Sequence, residues 1–255
     1  MAKYNVGIIG YGWAATAHID AINACPDAEV VAIYSSRPLD AGELKDRYGS
    51  DIKPYRDVKK LMADENVNVV DICSYPYQHA KQAIAAAEAG KHVLCEKPIA
   101  LSSTEALELI EARDRTGVKL QEAFMVRTHP QWLAVRERVR EGAVGKLLGA
   151  QYVFSYFNRD PENIRNKADI GGGGLMDIGC YPITTSRFVF GEEPTRVLGL
   201  VERDPDMEID RLTSAILDFP GGQASFICST QMVSKICSMR RLITISIRSS
   251  GVSTH

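Results

Sequence analysis

The six cysteines of this 255-residue chain stand apart at 25, 73, 95, 180, 228 and 237, and no two form a C-x-x-C pair. Neither a zinc site nor a disulfide framework is expected of them, and scattered thiols suit a reducing cytoplasm. No apolar run approaches the length that spans a bilayer, and the N-terminus carries one lysine before its first apolar run, unlike a secretory signal. An excess of one charge is also lacking: 30 Lys and Arg against 32 Asp and Glu leave a net charge of -2. Nothing in that balance calls for nucleic acid or an anionic membrane as a partner. Repeats and low-complexity tracts are missing too. Acid is absent from the end of the chain, with no Asp or Glu after Asp218.

What is present is ordinary globular composition, 45% apolar and 24% charged, in a length that fits one large domain or two small ones. The strongest pattern comes first. An apolar run ends at Ile9, Gly10-Tyr11-Gly12-Trp13-Ala14-Ala15 follows, a helical stretch reaches Cys25, and a second apolar run spans Glu29 to Tyr34. This is a βαβ unit opened by G-x-G-x-x-A. Gly10 suits the tight turn, Gly12 lets a pyrophosphate approach the backbone, and Ala15 lets the helix pack against the strand. The helix N-terminus offers unbonded N–H groups and a positive dipole end to phosphates. An NAD-binding unit usually has an acid at the end of the second strand, where this chain has Ser35-Ser36-Arg37. Two hydroxyls and a guanidinium suit a 2′-phosphate, which favours NADP over NAD. The alternative for this stretch is a solvated turn leading to a helix with Pro38 in its first turn.

Further along, helices are expected at 39–48, at Arg56–Ala63, at Gln78–Ala89 and at Ser103–Thr116. Strands are expected at Val67–Cys73, His92–Cys95 and Lys119–Glu122. Alternation of this kind predicts a doubly wound parallel sheet with ligands beyond its C-terminal strand ends, over residues 1–122. From 123 to 255 the pattern changes to an α+β domain. It has a helix at His129–Glu141, a strand at Leu147–Phe157, a polar loop, four glycines at 171–174 and a helix at Leu175–Phe190 perturbed by Pro182. Three strands follow at Arg196–Glu202, Arg211–Phe219 and Gln223–Ser229, read as consecutive and antiparallel.

Two strand ends face the expected nucleotide side, Ser74-Tyr75-Pro76-Tyr77-Gln78-His79 and Glu96-Lys97-Pro98. A lysine there can hold a substrate oxygen, or is a surface lysine at a strand end. Asp177 and Tyr181, four apart, share a face if helical, although Pro182 disfavours helical geometry at Tyr181. Alternatively Tyr181 is a half-buried core aromatic and Asp177 a helix cap. The glycines at 171–174 fit either a hinge or a close approach to a ligand.

Three segments carry a resemblance: Gly10–Ala15, Ala89–Pro98 and Gly171–Pro182. They resemble the Gfo/Idh/MocA family, the glucose-fructose oxidoreductase and inositol dehydrogenase group. Glu122–Met125, Arg127–Gln131 and Asn163–Asn166 are similar, more narrowly, to its sugar and dihydrodiol dehydrogenase branch, which has tyrosine at the position of Tyr181 where many relatives have histidine. The resemblance spans residues 4–233 and implies an N-terminal Rossmann domain followed by an open-faced, largely antiparallel sheet that pairs subunits into a homodimer or higher homo-oligomer. It implies an NADP- or NAD-dependent oxidoreductase that moves a hydride between nicotinamide and a sugar, cyclic polyol or dihydrodiol hydroxyl. Lys97 and Tyr181 would be the catalytic pair, with Asp177 orienting the site. Cofactor contacts would come from Gly10, Gly12, Trp13, Ala14, Ser35, Ser36, Arg37, Ser74, Tyr75, His79, Glu96 and Lys97. Substrate contacts would come from Arg127, Arg165, Asp177 and Tyr181, with no metal.

The chemistry agrees. Oxidising an alcohol removes the hydroxyl proton as hydride leaves carbon, and a free tyrosine, with pKa about 10, is a poor base at pH 7. A lysine cation and an oxidised nicotinamide nearby would both favour the phenolate. The rivals are a non-catalytic nucleotide-binding regulator, against which an intact Lys97, Asp177 and Tyr181 argue, and an inactive relative. The last rests on the tail. From about Ser234 the resemblance stops, and Lys235, Arg240, Arg241 and Arg248 stand unopposed. That segment is expected to be altered or truncated, the alternative being a genuine edge strand at Leu242–Ile247.

Overall fold

The computed structural model describes residues 4–232. The chain divides into two compact units, Met1–Ala123 and Phe124–His255. The tail expected to be altered and the alternative strand at Leu242–Ile247 lie outside the described residues.

The first unit runs β1 (Tyr4–Ile9), α1 (Trp13–Asn23), β2 (Ala28–Tyr34), α2 (Ala41–Tyr48), β3 (Lys53–Tyr55), α3 (Val58–Met62), β4 (Val69–Ile72), α4 (Pro76–Glu88), β5 (His92–Glu96), α5 (Ser103–Thr116) and β6 (Leu120–Ala123). All its strand pairs are parallel, in the order β3-β2-β1-β4-β5-β6. That is the dinucleotide-binding order, with its switch point between β1 and β4. The helix ends follow from local chemistry. The Ser102 hydroxyl accepts the Glu105 N–H at 3.2 Å, and the Glu105 carboxylate accepts the Leu101 N–H at 2.8 Å. Gly117, at φ 72°, closes α5 in the left-handed conformation that glycine tolerates best. Asp40 and Gly49 bracket α2 in the same way. Strand β3 was not expected. It has three residues, one of them Pro54, and a proline is tolerated there because β3 is an edge.

Both faces of this sheet are covered. Val6, Ile8, Val30 and Ile33 pack with Ala15 and Ile19 of α1 and Leu44 of α2. Ile9, Ala32, Val70 and Ile72 pack with Leu61 of α3, the alanines of α4 and Leu109 of α5.

The second unit begins with a 3-10 turn at Met125–Arg127, then α6 (Pro130–Arg140) and β7 (Gly149–Ser155). Short 3-10 turns at Ile164–Asn166 and Ala168–Ile170 lead to a π turn at Leu175–Gly179 and to α7 (Cys180–Phe190). β8 (Arg196–Arg203), β9 (Asp210–Phe219) and β10 (Gly222–Ser229) complete it. The three last strands are antiparallel, as expected, and the sheet order is β7-β10-β9-β8. Strand β7 pairs parallel to β10, so the sheet is mixed. Its covered face packs Tyr152, Leu217, Phe219, Ala224 and Phe226 against Ile178 and the partly buried Ile183 and Phe190. On the other face Ile216, Ile227 and Val153 are 38–43% exposed, and all of β8 is exposed. Among the described residues no helix is long and apolar enough to cross a membrane.

Candidate active site

At the nucleotide end of the first unit the two glycines differ. Gly10 has φ 100°, and a Cβ on it would lie 2.8 Å from the Cys73 carbonyl oxygen, so the fold itself requires glycine there. Gly12 has ordinary φ −115°, and a Cβ on it would meet nothing within 4 Å. The space it leaves lies over the start of α1, whose N-terminus has no side-chain cap. An anion fits that place. Within α1, Ala15 is buried, Ala14 is half-buried, and Trp13 is exposed.

At the end of β2, Ser36 and Arg37 are exposed, while Ser35 is buried and its Oγ accepts the Arg37 N–H at 3.0 Å. Ser74, after β4, donates its hydroxyl to Gln82 Oε1 at 2.6 Å. Tyr75 is half exposed and stacks on Tyr77. His79 is buried, with Nδ1 2.7 Å from the Pro98 carbonyl oxygen and Nε2 2.9 Å from that of Ser74. Its side chain thus ties the loop after β4 to the turn after β5.

That turn carries Glu96-Lys97-Pro98. Glu96 Oε2 accepts the Lys97 N–H at 3.0 Å, and Glu122 Oε1 accepts the Ile99 N–H at 2.9 Å. Glu96 Oε1 lies 3.1 Å from His18 Nε2, and His18 Nδ1 lies 2.8 Å from Oδ2 of the fully buried Asp71. His18 is pushed up to about 12, by its bonds to Asp71, Cys73 and Glu96 in that order. Burial pushes the Glu96 carboxyl up, yet the bond and charge of His18 carry it below the usual carboxylate range. Burial pushes the Cys73 thiol up to about 11. His18, Asp71 and Cys73 bring three metal-ligand types within 4.8 Å of one another. However, 2.8 Å between nitrogen and oxygen is a hydrogen-bond length, and two ligands of one zinc ion stand about 3.3 Å apart given bonds near 2.0 Å.

In the second unit, Asp177 sits in the π turn and Tyr181 in the first turn of α7. A wide turn before Pro182 suits a ring that cannot lie against the carbonyl four residues back. Asp177 is not a cap. Its Oδ2 accepts the Tyr156 hydroxyl at 2.6 Å and Arg165 Nε–H at 3.0 Å. Burial first, then the Asp177 charge, pushes the Tyr156 phenol well above its ordinary value, so it stays a donor. Two expected substrate residues, Asp177 and Arg165, are therefore an ion pair. Arg127 is exposed in its 3-10 turn. The Tyr181 ring packs against Phe124 at 4.9 Å and, edge-on, against Phe154 at 5.5 Å.

The glycine run lets the chain pack closely on itself. A Cβ on Gly172 would lie 2.6 Å from the Lys167 carbonyl oxygen and 2.7 Å from that of Arg165. Gly173, at φ 119°, leaves room for the Asp210 carboxylate, which accepts the Leu175 N–H. The glycines let the chain approach itself, and that approach anchors the π turn.

The model of the oxidoreductase family with an NAD-binding Rossmann fold matches residues 4–124, and that of the GFO/IDH/MocA C-terminal domain matches residues 132–245. The chain belongs to the Gfo/Idh/MocA family. The second match runs past residue 233, where the resemblance read from the sequence stopped. An uncharacterized oxidoreductase of Rhizobium meliloti is 48% identical over 80% of this chain, which spans 61% of that protein's length. The D-xylose 1-dehydrogenase (NADP(+)) 2 of Haloferax volcanii is 33% identical over 88% of this chain and 68% of its own. The crystal structure of a 3-ketoreductase from Actinomadura kijaniata with NADP and TDP-benzene superposes with a TM-score of 0.83 at 29% identity, over 91% of this chain and 71% of that one.

As a Gfo/Idh/MocA member, the chain has an NAD(P)-type Rossmann unit. Sequence reasoning passed over His18, Asp71 and Tyr156. An acid inside the apolar strand Val69-Val70-Asp71-Ile72 is the signal for the first two, since a buried carboxylate requires a partner. Tyr156 has no such local signal.

Proposed function

We propose that the chain is an NADP-dependent oxidoreductase that moves a hydride between nicotinamide and the hydroxyl-bearing carbon of a sugar, cyclic polyol or dihydrodiol. The observation that carries this is the uncapped start of α1 beneath the open space at Gly12, at the switch point of a parallel sheet. NADP is favoured over NAD by the exposed Ser36 and Arg37 at the end of β2, where no acid stands. Trp13, Ala14 and Tyr75 would line the nucleotide, whereas Ser74 and His79 hold the loops around it. The cofactor supplies the hydride acceptor when bound. Tyr181 would exchange the substrate proton, Lys97 would favour its phenolate, and Asp177 would orient substrate through Arg165. Arg127 is a further substrate contact. Val197, Leu198, Leu200 and Val201 on the exposed strand β8 support a homo-oligomer formed through that sheet. The described free thiols suit the cytoplasm.

The test is reduction of NADP and NAD with a panel of aldoses, cyclic polyols and diols. Turnover of one class, faster with NADP and lost in Tyr181→Phe, is expected. Nucleotide binding with no turnover of any class would favour a regulator instead.

A further inference from the structure

His18, Asp71 and Cys73 take no part in the proposed nucleotide or proton-transfer roles, yet they form a cluster around a fully buried carboxylate. Asp71 is fully buried near the end of β4, a central strand, and such a carboxylate is costly without a donor. His18, in the second turn of α1, is that donor on one side and meets Glu96 on the other. Carboxylates only accept, so both contacts require both ring nitrogens to carry protons. The raised affinity of His18 for its proton agrees with this. The groups facing His18 are Asp71 from β4, Cys73 from the loop after it and Glu96 from β5, with Lys97 the next charge beyond Glu96. The remaining Glu96 oxygen holds the Lys97 N–H.

We propose that His18 is a positioning residue for Lys97: clamped between Asp71 and Glu96, it fixes the carboxylate that fixes the backbone at Lys97. The helix that offers its N-terminus to phosphates thereby also sets the turn that carries the lysine. Removing the imidazolium frees Glu96 to rotate, and the Lys97 N–H loses its acceptor. The catalytic weight of this rests on the role proposed for Lys97; the positioning itself does not.

The test uses the full chain with its lysines reductively dimethylated with carbon-13, the Lys97 resonance being assigned by its loss in Lys97→Arg. In His18→Gln the Lys97 resonance and its titration are expected to move while NADP affinity is little changed. With an active substrate in hand, kcat is expected to fall on the order of 10²-fold with KM little changed, the loss that a small misplacement causes. If His18→Gln does not fold, His18→Gln/Asp71→Asn removes the unpaired buried carboxylate and carries the same readouts. An unmoved Lys97 titration in a folded variant overturns the proposal, whatever the turnover. A lowered melting temperature as the sole change does so too, since it would make His18 a structural staple alone. The resonance needs no turnover, so a wild-type chain inactive on every substrate would count against the proposed function and leave this inference to its own readout.

Discussion

The two units solve the burial of a sheet differently. In the first, β1 alternates Val6 and Ile8 toward α1 with Gly7 and Ile9 toward α3 and α4, and both sets are sealed. In the second, neighbours on β10 part company: Phe226 is 3% exposed and Ile227 40%. A parallel sheet built from crossovers brings its own helices to both faces, whereas an antiparallel run brings none to the second face. The first unit therefore covers both faces of its sheet with its own helices. Among the described residues the second leaves one face and the β8 edge uncovered, an arrangement that usually calls for a partner.

The His18 cluster ties three elements together inside the first unit. The ion pairs of the second sheet, Arg196 with Asp218 and Arg211 with Glu202, lie at its surface.

The largest effect should come from the two groups proposed for proton transfer, Tyr181 and Lys97. Tyr181→Phe keeps the packing against Phe124 and Phe154 and removes the hydroxyl, so turnover should fall about 10²–10⁴-fold. NADP affinity should change little in Tyr181→Phe, and the turnover of Lys97→Ala should fall at least as far. If the effects of the two variants multiply in the double variant, the groups act independently, and the shared role proposed for them is wrong.

Next come the two faces of β10. Phe226→Ala opens the covered core and should cost about 3–5 kcal/mol in urea unfolding. Ile227→Ala, one residue on, should cost under about 1 kcal/mol at low concentration. Equal costs that grow with protein concentration would mean that the open face is closed by a second copy. Between these two lies the nucleotide contact proposed at the end of β2. Arg37→Ala should weaken NADP by about 1.5–3 kcal/mol and leave NAD unchanged. Equal titration of both cofactors by the wild type would remove Arg37 from the 2′-phosphate.

How much of this the sequence carried depended on whether the cause was local. Caps are local, so α5 runs from Ser103 to Thr116, as its Ser102 and Gly117 imply. The Rossmann turn is local too. The parallel partnership of β7 with β10 joins residues about 75 apart along the chain, and nothing in either strand marks it. Gly171–Gly174 announced an unusual backbone, but the groups that come close, the Lys167 and Arg165 carbonyls and the Asp210 carboxylate, are defined only by the fold. Likewise Asp71 signalled a buried partner without naming His18, which is 53 residues away. Lys97 and Tyr181 stood out by strand-end position and by spacing, and the roles expected of them came from segment resemblance.

The effects of the charges separate the units by pH against salt. His18 has its folded pKa raised from 6.5 to about 12. Its contribution is fully present below pH 6.5, where the unfolded chain is protonated as well, and is lost progressively as pH rises toward 12. Glu96 has a lowered folded pKa, so its contribution is present above the ordinary 4.5 and is lost as pH falls below it. The cluster should therefore stabilise most between pH 4.5 and 6.5. The stability difference between wild type and His18→Gln should shrink on either side of that window. A difference that is flat from pH 6 to 10 would show that His18 is not held as a cation. Arg196→Ala, at the solvent edge of the other sheet, should behave in the opposite way. Its pair with Asp218 is open to water, so removing it should change melting little, and the change should vanish with added salt rather than with pH across the neutral range. A loss on Arg196→Ala that resists salt would place that pair in a buried setting, and the contrast between a sealed unit and an open one would no longer hold at β8.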